Sequence, residues 1–303
     1  MTGGAGFIGA NLSRRLRERR HDVVVVDDLS TGDLENLRDL DVTLIEGTIL
    51  DPEILDTAMS DASAVVHLAA RPSVPRSISD PVASHLANAT GTVEVLEAAR
   101  RAGNLHVIVA SSSSVYGANP TLPKREDLAT LPLSPYAASK LATESYALAY
   151  QHSFGLPALA FRFFNVFGPL QAAGHAYAAV VPAFVSAALE GRPLTVHGDG
   201  TQSRDFTYVD TVTEVIADAV ARGVTSDSPV NLAFGTRTDL LTLIAELETI
   251  IGTSVAVEHV ETRAGDVKHS QADSTRLQAL FPDVVPTALP DALRATVDWF
   301  RAQ

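Results

Sequence analysis

The chain has 303 residues, 46% of them hydrophobic, and a formal net charge of -13. That much apolar material can build one large domain or two closely joined ones. The acidic balance excludes a basic nucleic-acid footprint, so no nucleic-acid partner is expected and anionic ligands must be met by local cations.

The absence of cysteine excludes disulfides, thiolate metal sites and a cysteine nucleophile, and no metal is expected. No apolar run reaches the length of a membrane span, and no signal peptide precedes the first motif. A soluble, cytoplasmic protein without a membrane partner is the expectation.

Short apolar runs alternate with helical stretches through the first half. Residues 22–27, 42–46, 64–69, 105–110 and 158–162 read as buried parallel strands. Residues 9–20, 52–60, 82–102 and 136–154 read as the helices between them. This alternation predicts an α/β, doubly wound, Rossmann-like parallel sheet with ligands at the carboxyl ends of its strands. After Gly168 the rhythm loosens, with helices near 180–190, 211–222 and 240–251. The expected division is a dinucleotide-binding part over 1–168 and a smaller α/β, mainly substrate-binding part over 169–303, with the chain free to cross between them.

Gly3, Gly6 and Gly9 are spaced for a tight turn, a close approach to pyrophosphate and close helix packing. Such a turn needs a strand before it, yet only Met1 and Thr2 precede it. The first, central strand is therefore expected to be missing, as from a start site assigned too far downstream. Asp27 ends the second apolar run 18 residues after Gly9, where an acid bonds the adenosine ribose hydroxyls. A carboxylate there disfavours a 2′-phosphate, so NAD is the expected cofactor rather than NADP.

Tyr136 and Lys140 are four apart and share one helix face. A phenol ionises near 10, and a nearby ammonium together with the NAD positive charge would favour phenolate. Ser112 lies 24 residues earlier, in the serine run 111–114 that ends a strand, and can bond the same substrate hydroxyl.

The glycine loop, the Ser-Val-Tyr-Gly stretch at 114–117 and the Tyr-x-x-x-Lys pair together resemble the extended short-chain dehydrogenase/reductase family, over essentially the whole chain. The resemblance implies that Ser112, Tyr136 and Lys140 are catalytic. It adds Phe7, Ile8, Ile49, Leu68, Ala69, Ala70, Asn88 and Phe163 to the NAD-binding set, beside Tyr136 and Lys140. Thr48 stands where relatives usually carry an Asp near the adenine.

Asn165, Arg204 and Arg263 fall in segments similar to those that grip a UDP-sugar diphosphate, and Asp266 in the segment that binds the uridine ribose. These arginines supply the local positive charge that the acidic chain otherwise lacks. Ser73, Arg76, Ser113, Ala179, Val180, Thr195 and Ser270 complete the substrate-binding set that the resemblance implies. A homodimer through the helices 82–102 and 136–154 is implied as well.

The 4,6-dehydratases that resemble this chain carry an Asp-Glu pair where Ser113 and Ser114 stand. Serine cannot shuttle protons as a carboxylate does at neutral pH. The expected reaction is therefore NAD-dependent 4-epimerisation of a UDP-hexose through a 4-keto sugar. Segments 73–78, 176–182 and 265–273 are similar to the UDP-N-acetylglucosamine 4-epimerase branch. Strict UDP-galactose 4-epimerases carry a bulky Tyr where Ser270 stands, so room for an N-acetyl group is expected. Two alternatives stand beside this reading. One is a UDP-glucuronate 4-epimerase or decarboxylase, and the other is a non-catalytic dinucleotide-binding relative.

Overall fold

The glycine loop passes directly into α1 (Phe7–Glu18), which is followed by β1 (Val24–Asp27), β2 (Thr43–Glu46), α2 (Pro52–Met59) and β3 (Ala64–His67). The computed structural model describes residues 1–174, 178–262 and 268–303, and the statements below concern those residues. α3 (Val74–Ser79) and α4 (Pro81–His85) lead through a π-helical turn at Leu86–Thr90 into α5 (Gly91–Arg101). β4 (His106–Ser112), a 3-10 turn at Ser113–Tyr116, α6 (Pro135–Phe154) and β5 (Ala158–Phe163) complete the first half.

The second half comprises β6 (Val166–Phe167), α7 (Val180–Leu189), β7 (Leu194–His197), β8 (Ser203–Arg204), β9 (Thr207–Tyr208) and α8 (Val209–Arg222). β10 (Val230–Leu232), β11 (Thr238–Asp239), α9 (Leu240–Ile251), β12 (Val257–Val260), α10 (Thr275–Leu280) and α11 (Leu289–Arg301) follow.

β1 pairs with β2, and β3, β4, β5 and β10 run side by side, all in parallel. Between β1 and β3 stands a single residue. Thr2 makes parallel bridges to both Val26 and His67. Its N–H donates to Val66 O at 3.0 Å, and its carbonyl accepts from Leu68 N–H at 3.1 Å. The place of the expected central strand is thus held by Thr2, flanked by the Met1 carbonyl, which accepts from Val26 N–H at 2.8 Å. Strand order reverses at this point, so the crevice for a ligand opens at the carboxyl ends beside the glycine loop.

Side chains alternate across the sheet, as the period of a strand dictates. Val25, Val66, Ile108, Leu159 and Phe161 pack on one face against Leu12 and Leu16 of α1 and Val212 and Ile216 of α8. Val26, Val65, Val107, Val109 and Ala160 pack on the other, against Leu55 of α2, Leu96 of α5 and Ala147 of α6. Each fully buried aliphatic side chain contributes about 1.5–3 kcal/mol. Both faces being covered explains why these strands read as unbroken apolar runs.

Two elements beyond residue 168, α8 and β10, therefore belong to the sheet layer. A separate core forms where Phe184, Leu243, Leu247, Leu293 and Val297 of α7, α9 and α11 close on Leu194 and Val196 of β7. Among the described residues no helix is long and apolar enough to cross a membrane.

Residues 81–101 form one continuous helical run, as the sequence predicts over 82–102, with a π turn inside it. Asp80 caps α4 by accepting from Ala83 N–H, and the helix then widens into the π turn before α5. The wide turn turns Asn88 and Ala89 inward, where they are 1% and 3% exposed.

Candidate active site

The three glycines meet three different demands. A Cβ on Gly3 would lie 2.5 Å from Ala69 N, and Gly3 has a φ of +72°. A Cβ on Gly9 would lie 2.1 Å from Gly3 O, inside the turn. A Cβ on Gly6 would meet only Gly3 O, at 3.4 Å, so that side of the loop is open to a ligand. Gly6 also begins α1 with no side-chain cap, which leaves first-turn N–H groups for an anion. Asp27 accepts from Ala5 N–H at 2.9 Å and Leu29 N–H at 3.0 Å, fixing its carboxylate against the loop. An open glycine at a helix N-terminus with an acid at the end of β1 fits a dinucleotide.

Behind the loop runs a buried polar chain. His67 bonds Thr2 Oγ1 at 2.7 Å through Nδ1 and Thr92 Oγ1 at 3.1 Å through Nε2. Burial lowers the imidazole to about 3, with the positive charges of Lys140 and the Met1 amine adding to that, so His67 is neutral. Thr92 bonds Thr143 at 3.1 Å. Asn88 accepts from Arg71 N–H at 2.7 Å and donates to Ser139 Oγ at 2.9 Å. The π turn is thereby tied to α6 between Tyr136 and Lys140. Leu68, Ala69 and Ala70 follow β3 at the mouth of the crevice, and Ile49 packs in the core beside α5.

Ser134 caps α6 by accepting from Ala137 N–H, with Pro135 in the first turn. The helix then presents Tyr136 and Lys140 on one face. Lys140 Nζ donates to Ala110 O at 2.7 Å, and burial lowers its pKa to about 8. Ser112, at the end of β4, accepts from Ser114 N–H at 3.2 Å and Ser114 Oγ at 2.9 Å. Its own hydroxyl lies near enough to Tyr136 to favour the ionised phenol. Burial raises the Tyr136 phenol above its ordinary value, and the Ser112 hydroxyl offsets part of that rise. Ser113 and Ser114 form the turn directly after Ser112.

The substrate-side residues lie on several elements. Asn165 has a φ of +33°, and its amide donates to Asp205 O at 3.1 Å. Arg204 Nη1 donates to Ser203 O at 3.0 Å and Lys268 O at 3.2 Å. Ser270 N–H donates to Ser203 O at 3.0 Å, which sets Ser270 beside that arginine segment. Ser73 opens α3 with a φ of +103° and accepts from Arg76 N–H at 3.4 Å. Ala179 and Val180 open α7, and Thr195 is exposed on β7. Phe163 ends β5. Arg263 and Asp266 lie outside the described residues.

Sequence reasoning missed Ser139, Ser114, His67 and Thr92. Ser139 sits three residues after Tyr136, so helical spacing alone could have found it. The buried bonds of His67 and Thr92 join segments 25 residues apart and left no sequence signal.

A model of the NAD dependent epimerase/dehydratase family matches residues 1–233. The UDP-glucose 4-epimerase of Mycolicibacterium smegmatis is 36% identical over 309 residues, covering 99% of this chain and 97% of its own length. The solved UDP-N-acetylglucosamine 4-epimerase of Methanobrevibacter ruminantium, in complex with UDP-N-acetylmuramic acid, superposes with a TM-score of 0.94 at 36% identity. It covers all of this chain and 97% of that one. The UDP-glucose 4-epimerase of Thermus thermophilus, solved with NAD, gives a TM-score of 0.89 at 33% identity, over 99% and 97% of the two chains.

Proposed function

This chain belongs to the NAD dependent epimerase/dehydratase family, and on that premise we propose that it inverts C4 of a UDP-hexose through a 4-keto sugar. The observation that carries this reading is the cluster at the end of β4. Ser112 lies beside Tyr136, with Lys140 one turn along the same face and bonded to Ala110 O of β4. The next two side chains are hydroxyls rather than the carboxylates that dehydration requires.

Tyr136, as base, takes the proton of the 4-hydroxyl while Ser112 orients that hydroxyl. NAD, when bound, supplies the acceptor and later the donor of the C4 hydride. Lys140 holds the nicotinamide ribose and compensates developing charge on Tyr136. After the keto-sugar rotates to present the other face of C4, Tyr136 returns the proton to the C4 oxygen. Gly3, Gly6 and Gly9 with the start of α1 hold the pyrophosphate, and Asp27 bonds the adenosine ribose. Ile49, Leu68, Ala69, Ala70 and Asn88 complete the cofactor site. Asn165 and Arg204, with Arg263 and Asp266, take the UDP moiety.

Ser270 in place of a phenol supports acceptance of N-acetylated sugars, and the likeness to a protein named for UDP-N-acetylglucosamine points the same way. We also read the protein as a homodimer. Ile78, Val82, Leu86, Tyr146 and Phe154 on α3, α4, the π turn and α6 are large apolar side chains left 42–66% exposed. Incubation with UDP-glucose, UDP-N-acetylglucosamine and UDP-glucuronate, followed by product separation, tests the reading. Turnover of the uronate alone would transfer the assignment to a uronate-specific enzyme.

A further inference from the structure

Glu144 and Arg162 form an ion pair in the interior, their side chains only 3% and 4% exposed. Arg162 Nε lies 3.0 Å from Glu144 Oε2, and Nη2 lies 2.6 Å from Oε1. A buried pair of this kind adds little to stability, because apolar side chains of equal volume would serve as well. Its surroundings indicate another use. Glu144 follows Tyr136 and Lys140 at the same spacing of four, on the same face of α6. Arg162 stands opposite Ser111 in the register of β4 and β5. Ser111 Oγ donates to Glu144 Oε2 at 2.7 Å and lies 3.2 Å from Lys140 O. The strand end that carries Ser112 is thus tethered to the helix that carries Tyr136.

We propose that Glu144, clamped by Arg162, is a positioning residue that holds Ser111 and so sets Ser112 against Tyr136. This rests on the proposed function, in which Tyr136 is the base. The pairing holds Glu144 in place as the strong acceptor that Ser111 needs, while adding no net charge beside Lys140. The titratable and charged groups facing the pair are few. Lys140 is on the same helix, and Tyr116 lies after β4 with the Arg162 guanidinium 4.7 Å over its ring. Glu126 accepts from Arg162 Nη1 at 3.4 Å through its backbone carbonyl, and its carboxylate binds Asn231 N–H. His67, neutral, is near enough to feel the Lys140 charge. Loosening the tether lets Ser112 move away from Tyr136, whose phenol the Ser112 hydroxyl lowers.

The test is ultraviolet difference titration of the Tyr136 phenol in NAD-loaded protein, with Tyr136→Phe as the blank. It reads the phenol whether or not any UDP-sugar turns over, so failure of the proposed reaction does not confuse it. Ser111→Ala is expected to raise the titration midpoint by about one unit, a tenfold change in ionisation. Ser111→Thr, which keeps the hydroxyl, is expected to restore it, and the melting temperature should move little in either. Where a sugar is turned over, kcat should fall about tenfold at unchanged KM. The double variant E144Q/R162M removes the clamp without leaving an unpaired charge and should raise the midpoint as Ser111→Ala does, and a midpoint near wild type overturns the proposal. An unchanged midpoint in Ser111→Ala overturns the proposal. So does a shift that Ser111→Thr fails to reverse, or one matched by an equal loss of melting temperature.

Discussion

Asn88 Nδ2 lies 2.9 Å from Ser139 Oγ, and this bond joins the π-helical turn to the helix that carries Tyr136 and Lys140. The same Asn88 side chain accepts from Arg71 N–H at 2.7 Å, so both ends of the amide are used. Asn88→Ala leaves the Arg71 N–H without its partner and removes one of the bonds of the buried Ser139 hydroxyl, which keeps the one it donates to Tyr136 O. The expected cost is about 1–3 kcal/mol. The π turn exists to place this side chain, so NAD retention should fall as well. Thermal melts and assay of nucleotide released on denaturation measure both, and a variant that keeps its full nucleotide content would separate Asn88 from the cofactor.

Tyr136→Phe removes the group assigned to take the 4-hydroxyl proton. Turnover should fall by about two to four orders of magnitude while UDP affinity stays nearly constant. Lys140→Ala should lose NAD affinity in addition. Steady-state kinetics beside calorimetric titration with UDP check this, and an active Tyr136→Phe enzyme would remove Tyr136 from the role.

His67 gives the fold a built-in acid sensitivity. Its pKa is about 3 when folded and 6.5 when unfolded, so between those values the unfolded chain binds a proton that the folded one does not. Stability therefore rises with pH across that window, is complete above 6.5, and is lost as pH falls toward 3. The contribution is on the order of several kcal/mol. Urea unfolding of wild type and His67→Gln through the window reads the difference, which cancels the carboxylates common to both. Parallel curves would mean that His67 stays exposed to protons in the fold.

The long strands and helices of the sheet layer were readable because period and punctuation agree there. Val24–Asp27 and Ala158–Phe163 are apolar on both faces, and Pro52 and Pro135 begin helices behind side-chain caps. The π turn at Leu86–Thr90 was not readable, because such a turn needs no glycine or proline and leaves the helical pattern intact. β10 was missed for its length of three residues, and its place in the sheet depends on pairing with β5. Local motifs exposed Ser112, Tyr136 and Lys140. The supports beneath them, Glu144 with Arg162 and His67 with Thr92, are long-range pairs that no single segment announces.

Ser270→Tyr tests substrate width. The Ser270 backbone is anchored to Ser203 beside Arg204, so a larger side chain there has little freedom to retreat. Added volume in a packed site costs about 1–3 kcal/mol, enough for roughly tenfold to hundredfold discrimination. The kcat/KM for UDP-N-acetylglucosamine should fall while that for UDP-glucose is spared. An unchanged ratio of the two would mean that Ser270 does not line the pocket beside C2.

The central claim is that hydride leaves C4 and returns to the same carbon. Incubation of the protein as purified with UDP-N-acetylglucosamine in D2O, with no cofactor added, followed by proton NMR, addresses it directly. The account predicts a mixture of the two C4 epimers, each keeping its original hydrogen at C4, because the hydride never meets solvent while Tyr136 exchanges only the hydroxyl proton. Deuterium at C4, or a product lacking the 6-hydroxyl, would contradict it.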